Sequence, residues 1–224
     1  MIELSRVNKS YSAIPALSDV TLAVSDGEFV FVTGPSGSGK TTLVRLLIAD
    51  EFCDDGFVKI DGLHLVNATE EQLRAHRRRT GVVFQDYGLL ADKTAYENVG
   101  FALRCLNVEP ASINRRVRDA LATVGLTEFA DAYPDQLSAG MQQRIAIARA
   151  IVTRPKVVLA DEPTGNVDPK NTVAIMEILE TINADGTTMI VTTHDPLIVE
   201  LMQRRVVLLD HGRVRLDDVG GYRV

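Results

Sequence analysis

Two stretches of this chain have the residue types and spacing to handle a phosphoanhydride. Gly34-Pro35-Ser36-Gly37-Ser38-Gly39-Lys40-Thr41 fits G-x-x-x-x-G-K-[ST]. In that pattern small residues let backbone N–H groups close around phosphate oxygens, and the helix that follows aims its positive end at the same anion. Lys40 would pair with the β- and γ-phosphates, Thr41 would ligate Mg²⁺, and Thr42 opens the helix behind them. Far along the chain, Val157-Val158-Leu159-Ala160 ends in Asp161, a carboxylate placed to reach Mg²⁺ directly or through water. Glu162 follows where it could polarise an attacking water. Gln85 and His194 come just after two more apolar runs. Singly, such residues also serve as turns, helix caps and packed side chains; together they point to hydrolysis of a nucleoside triphosphate. Asn8-Lys9-Ser10-Tyr11 lacks the Asp of a guanine-reading Asn-Lys-x-Asp, which favours ATP over GTP.

These groups need a scaffold that delivers them to one edge. Phe29 to Val32, Val82 to Phe84, Val157 to Ala160 and Met189 to Val191 are continuous apolar runs, as in strands buried on both faces. Their alternation with helical segments implies a parallel, doubly wound sheet, which binds ligands outside the carboxyl ends of its strands. Ile2 to Val7, Val20 to Val24 and Phe57 to Ile60 alternate and are separated by turn formers, so they predict an antiparallel sheet beside the nucleotide. Tyr11 lies between the first two, where it either stacks on an adenine ring or packs on the surface.

From Asp86 to about Arg154 the pattern turns helical. Ile113, Val117, Leu121 and Val124 share a helix face that Gly125 ends, and Ser138 opens a second helix to about Thr153. Pro196 to Arg205 reads as a helix, Val206 to Leu209 and Arg213 to Leu216 as strands, and the tail 217–224 shows no motif. The expected organisation is a single domain: 1–85 and 155–224 form the nucleotide-binding core with its β subdomain, and 86–154 forms a helical insertion.

With 224 residues, 46% apolar and 24% charged, the chain has the composition of a soluble globular protein. A net charge of −6 argues against a general nucleic-acid binder. The run Arg74, His76, Arg77, Arg78, Arg79 reads as a solvated face. The sequence has neither a membrane-spanning apolar run nor a signal-peptide pattern, which predicts a cytoplasmic protein whose membrane role is exercised through a partner. Cys53 and Cys105 read as reduced thiols.

Tyr11, Gly34 to Thr41, Gln85, Leu137-Ser138-Ala139-Gly140-Met141-Gln142, Asp161-Glu162, Asn166-Val167-Asp168 and His194 occur in the order of an ABC-type ATPase, which the chain resembles over nearly its whole length. The resemblance implies an α/β P-loop NTPase cassette with a RecA-like parallel core, an antiparallel β subdomain and an inserted α-helical subdomain. It implies ATP and Mg²⁺, with Thr41, Gln85 and Asp161 on the metal, Glu162 as base, and Lys40 and His194 at the γ-phosphate. It also implies an ATP-dependent homodimer, in which Ser138, Ala139, Gly140, Met141 and Asp168 of one cassette complete the site of the other.

Within that family, Val83-Phe84-Gln85-Asp86-Tyr87-Gly88-Leu89-Leu90, Lys93 to Val99 and Leu159 to Asn166 look like the FtsE branch. This implies an FtsX-like transmembrane partner and, through it, regulation of peptidoglycan hydrolases at the inner face of the cell membrane. ATPases of lipoprotein-releasing or macrolide-export transporters are the nearest rival. A nucleotide-gated scaffold with negligible turnover is a third reading, and an ABC protein acting on DNA or ribosomes is disfavoured by the acidic balance. The signature departs from the family's Leu-Ser-Gly-Gly-(Glu/Gln). Ala139 adds a Cβ where backbone should approach phosphate, and Met141 removes the capping-box partner of Ser138. Both predict a weakened phosphate site and slow hydrolysis.

Overall fold

The structure is a computed structural model that describes residues 1–219. In chain order it comprises β1 (Ile2–Tyr11), β2 (Ile14–Val24), β3 (Phe29–Thr33), α1 (Lys40–Leu47), β4 (Asp55–Ile60), β5 (Leu63–His64), α2 (Glu70–Arg78) and β6 (Thr80–Val83). These are followed by α3 (Ala95–Cys105), α4 (Pro110–Thr123), α5 (Ala139–Ile151), β7 (Val157–Asp161), α6 (Pro169–Ala184), β8 (Thr188–Thr193), α7 (Pro196–Met202), β9 (Arg205–Asp210) and β10 (Arg213–Val219).

The central sheet has the order β10-β9-β3-β8-β7-β6, parallel throughout except for the edge strand β10. All four apolar runs enter it, and β3, β7 and β8 are buried along their whole length. Because side chains alternate across a strand, the sheet separates two cores. Phe29, Phe31, Val158, Ala160, Met189, Val191 and Val206 face a core shared with Val99, Leu103, Val117, Leu121, Ile145 and Ile175 of the helices. Val30, Val32, Leu159, Ile190, Val207 and Leu209 face another, shared with α1 and a second sheet of order β2-β1-β4-β5. That second sheet is the expected antiparallel one, with β1 and β2 reaching Tyr11 and Ile14 at their turn.

Between β6 and β7 the chain is helical. α4 carries Ile113, Val117 and Leu121 on its buried face and stops before Gly125, whose φ is +68°. α5 begins at the Ser138 cap. Three local expectations change. The basic run lies on α2, opened by a Thr69–Gln72 capping box. Its arginines are exposed as expected, but His76 is buried with Nε2 2.7 Å from the Leu47 carbonyl oxygen, and Arg77 donates to the carbonyls of Ile48 and Ala49. The helix from Pro196 ends at Met202, because Gln203 turns left-handed and Arg205 already belongs to β9. The tail is strand as far as Val219, and residues 220–224 lie outside the described residues.

Candidate active site

The loops carrying Gly34 to Thr41, Gln85, Asp161-Glu162 and His194 each leave a carboxyl end of the parallel sheet. The loop after β3 must pass over the end of β9: a Cβ on Gly34, at φ +143°, would stand 2.0 Å from the Leu209 carbonyl oxygen, so only glycine fits. Gly39 caps α1 with no side-chain acceptor, and the first amides of the helix therefore carry its positive end outward. Lys40 is buried; its ammonium donates to the carbonyls of Gly34 (2.9 Å) and Pro35 (3.1 Å) and lies 3.6 Å from Oε1 of Glu162.

Glu162 follows β7 at φ +48°, a left-handed conformation disfavoured for a residue with a Cβ. Its Oε2 is 2.7 Å from Nδ1 of His194, which follows β8. Asp161 is buried and accepts a 2.6 Å hydrogen bond from the Thr192 hydroxyl.

A cleft of about 780 Å³ is lined by Tyr11, Pro35, Ser36, Gly37, Gly39, Lys40, Thr41, Thr42, Gln85, Glu162 and His194, together with Ala16. Tyr11 therefore belongs to this cleft. Its ring sits 5.6 Å from the Lys9 ammonium, and the nearby Tyr11 hydroxyl, with Arg45 and Lys9, holds the Glu51 carboxyl below its ordinary range. Gly34, Ser38 and the buried Asp161 do not line it. Gly34 serves the crossing over β9, while the Ser38 side chain is buried and its N–H closes the loop on the Pro35 carbonyl (3.1 Å).

The signature residues and Asp168 also lie outside this cleft. Ser138 caps α5, accepting from the Met141 N–H at 3.3 Å, and the reciprocal half of a capping box is missing because the Met141 thioether offers no oxygen acceptor; its side chain packs against the apolar core. The Met141 amide is engaged by the Ser138 cap, and its side chain is partly buried. Ser138 and Ala139 are exposed at the helix start. Asp168 caps α6, accepting from the amides of Lys170 and Asn171 and from Asn171 Nδ2, which hold its carboxyl below its usual range. The two helix starts touch: a Cβ on Gly140 would meet Asn171 Cγ at 2.4 Å.

Sequence reasoning names Asn166 only as part of a motif and gives Arg149 no role, yet both tie these loops together. Asn166 donates to the Gln85 carbonyl at 2.9 Å, and Arg149 of α5 donates to the carbonyls of Tyr87 and Gly88. Thr192 and Thr193 end β8 with hydroxyls after the apolar run Met189 to Val191.

Thr41, Gln85 and Asp161 offer oxygen donors, the set that suits a hard dication such as Mg²⁺. No group of three or more His, Cys, Asp or Glu that could hold a metal occurs among the described residues. No helix among them is long and apolar enough to cross a membrane.

Residues 17–165 match the ABC transporter family. The chain is 49% identical over 223 residues to the cell division ATP-binding protein FtsE of Mycobacterium tuberculosis, covering 99% of this chain and 97% of that one. It is 45% identical to the FtsE of Streptococcus pneumoniae, covering 99% and 96%. Among solved structures it resembles the dimeric ATP-binding cassette MJ0796, in a post-hydrolysis state bound to ADP and Pi, with a TM-score of 0.89, 35% identity and 98% of each chain covered.

Proposed function

Because this chain belongs to the ABC transporter family, we propose that it is the ATPase subunit of an FtsEX-type complex, coupling ATP hydrolysis to a membrane partner in cell division. Its activity as an ATP hydrolase follows from the family. The convergence of Tyr11, the Gly34–Thr41 loop, Gln85, Glu162 and His194 on one cleft carries the reading of the site. Near-complete, two-way coverage of FtsE proteins supports the division role.

In the proposed mechanism, Tyr11 stacks on the adenine while the amides of the loop and the start of α1 receive the phosphates. Lys40 exchanges its carbonyl partners for β- and γ-phosphate oxygens, stabilising charge as the γ-phosphoryl group leaves. Thr41, Gln85 and Asp161 would hold Mg²⁺, which when bound would neutralise phosphate charge. Glu162 accepts the proton of an attacking water, and His194, bonded to Glu162, positions the γ-phosphate. Two cassettes close on the nucleotide, with the Ser138 helix start and Asp168 of one completing the site of the other. The nucleotide-binding core spans 1–85 and 155–224, and the helical insertion 86–154 carries the signature. The partner is an FtsX-like transmembrane protein that passes the ATP-driven closure to peptidoglycan hydrolases, holding the subunit at the inner face of the membrane.

The test is affinity capture from detergent-solubilised native membranes with the Glu162→Gln protein and Mg·ATP. Recovery of an FtsX-like permease is expected. Recovery of a lipoprotein-releasing or drug-export permease would replace the division role with a transport one.

A further inference from the structure

The geometry points to Thr192 as the residue that positions both carboxylates at the end of β7 for hydrolysis, an inference resting on the roles proposed above for Asp161 and Glu162. β7 and β8 pair in parallel with Asp161 opposite Thr192. The Thr192 side chain is fully buried, and the β8 residues before it, Ile190 and Val191, are apolar core. A hydroxyl in such a place is unfavourable unless its hydrogen-bonding capacity is used. Here it is used twice: Thr192 Oγ1 donates to Asp161 Oδ1 at 2.6 Å and accepts from the Glu162 N–H at 2.9 Å. The Thr192 carbonyl takes the same N–H at 3.2 Å.

One hydroxyl thereby fixes two different things. It commits Oδ1 of Asp161, which stops the carboxylate from rotating and leaves Oδ2 as the oxygen for a cation. It also anchors the amide of Glu162, whose left-handed φ of +48° needs support from its surroundings. From that backbone the Glu162 carboxylate reaches Lys40 at 3.6 Å and His194 at 2.7 Å. A valine would fill the same space and supply neither bond.

Thr192→Val and Thr192→Ser are compared in the full-length protein, with Asp161→Asn and Glu162→Gln alongside. Two quantities are read: kcat and KM for Mg·ATP, and Mn²⁺ affinity by electron paramagnetic resonance with a non-hydrolysable ATP analogue bound. Thr192→Val is expected to lower kcat and Mn²⁺ affinity, each by about 10- to 100-fold, the usual effect of removing a group that orients a metal ligand. KM for ATP stays near parental, and Thr192→Ser recovers most of both losses. Parental kcat and Mn²⁺ affinity in Thr192→Val overturn the inference. So does equal impairment of the serine variant, which would assign the effect to methyl packing. Should the valine variant bind no nucleotide, Thr192→Ala takes its place, and parental values there overturn the inference equally. Parental hydrolysis by Glu162→Gln and Asp161→Asn would instead overturn the underlying assignment of the carboxylates.

Discussion

Nδ1 of His194 lies 2.7 Å from Oε2 of Glu162, while the other oxygen of that carboxylate lies 3.6 Å from the Lys40 ammonium. The carboxylate thus stands between the cation that meets phosphate and the imidazole across the cleft. Glu162→Gln keeps the shape and removes the base. Hydrolysis is expected to fall by about 10²- to 10⁴-fold while ATP is retained and a dimer accumulates. Phosphate release and light scattering with Mg·ATP check this; a parental rate would take the base role from Glu162.

The signature is the second place to intervene. Ser138 caps α5 through a single bond to the Met141 amide, and Ala139 is exposed beside it. Ala139→Gly combined with Met141→Glu restores close backbone approach and a reciprocal cap. Steady-state ATPase of the assembled complex is expected to rise, while the restored cap contributes about 1 kcal/mol to stability. Met141 packs against the core, and its replacement partly offsets the gain in stability. No rise in turnover would sink the idea that this signature slows hydrolysis.

What the sequence made legible follows from where each signal is written. The parallel strands were visible because burial on both faces leaves an uninterrupted apolar run, and the loop from Gly34 to Thr41 because its steric demands admit few residues. The α2 helix was hidden: only Leu73 and His76 are buried, so charge masks its periodicity. The α6 helix is written in the Asp168 cap, in Pro169 at its first position and in the helical spacing of Ile175, Met176, Leu179 and Ile182. For Ser38 and Met141, motif membership does not reveal that the turn and the cap engage their amides. The Thr192, Asn166 and Arg149 bonds join residues 31, 81 and more than 60 positions apart, and no local pattern records them.

Gly140 offers a test of how closely the two helix starts are fitted. In a helix, Gly→Ala is ordinarily favourable by about 1 kcal/mol. Here the new Cβ would stand 2.4 Å from Asn171 Cγ, and Asn171 is held by its 2.6 Å bond to Asp168. Overpacking decides the sign, and Gly140→Ala is expected to destabilise the protein by about 1–3 kcal/mol in denaturant unfolding. Asn171→Gly removes the contacting atoms, so the double variant should be less destabilised than the sum of the singles. Simple additivity would show that the contact relaxes without cost.

His76 gives the fold a pH dependence of definite sign. Its Nε2 is 2.7 Å from the Leu47 carbonyl oxygen at the end of α1. Burial lowers its pKa from the ordinary 6.5, with Arg77 acting in the same direction, against the opposing pull of the Leu47 carbonyl and Asp61. A lowered value means the folded protein keeps the imidazole neutral while the unfolded chain takes up a proton near 6.5. Its contribution is therefore complete above pH 6.5 and is lost as pH falls below it, by at most about 1.4 kcal/mol per pH unit. His76→Gln keeps a donor for the Leu47 carbonyl and cannot titrate. Urea unfolding at a series of pH values between about 7.5 and 5.5 should give a flatter stability profile for the variant than for the parent. Profiles of equal slope would show that the acid sensitivity arises elsewhere.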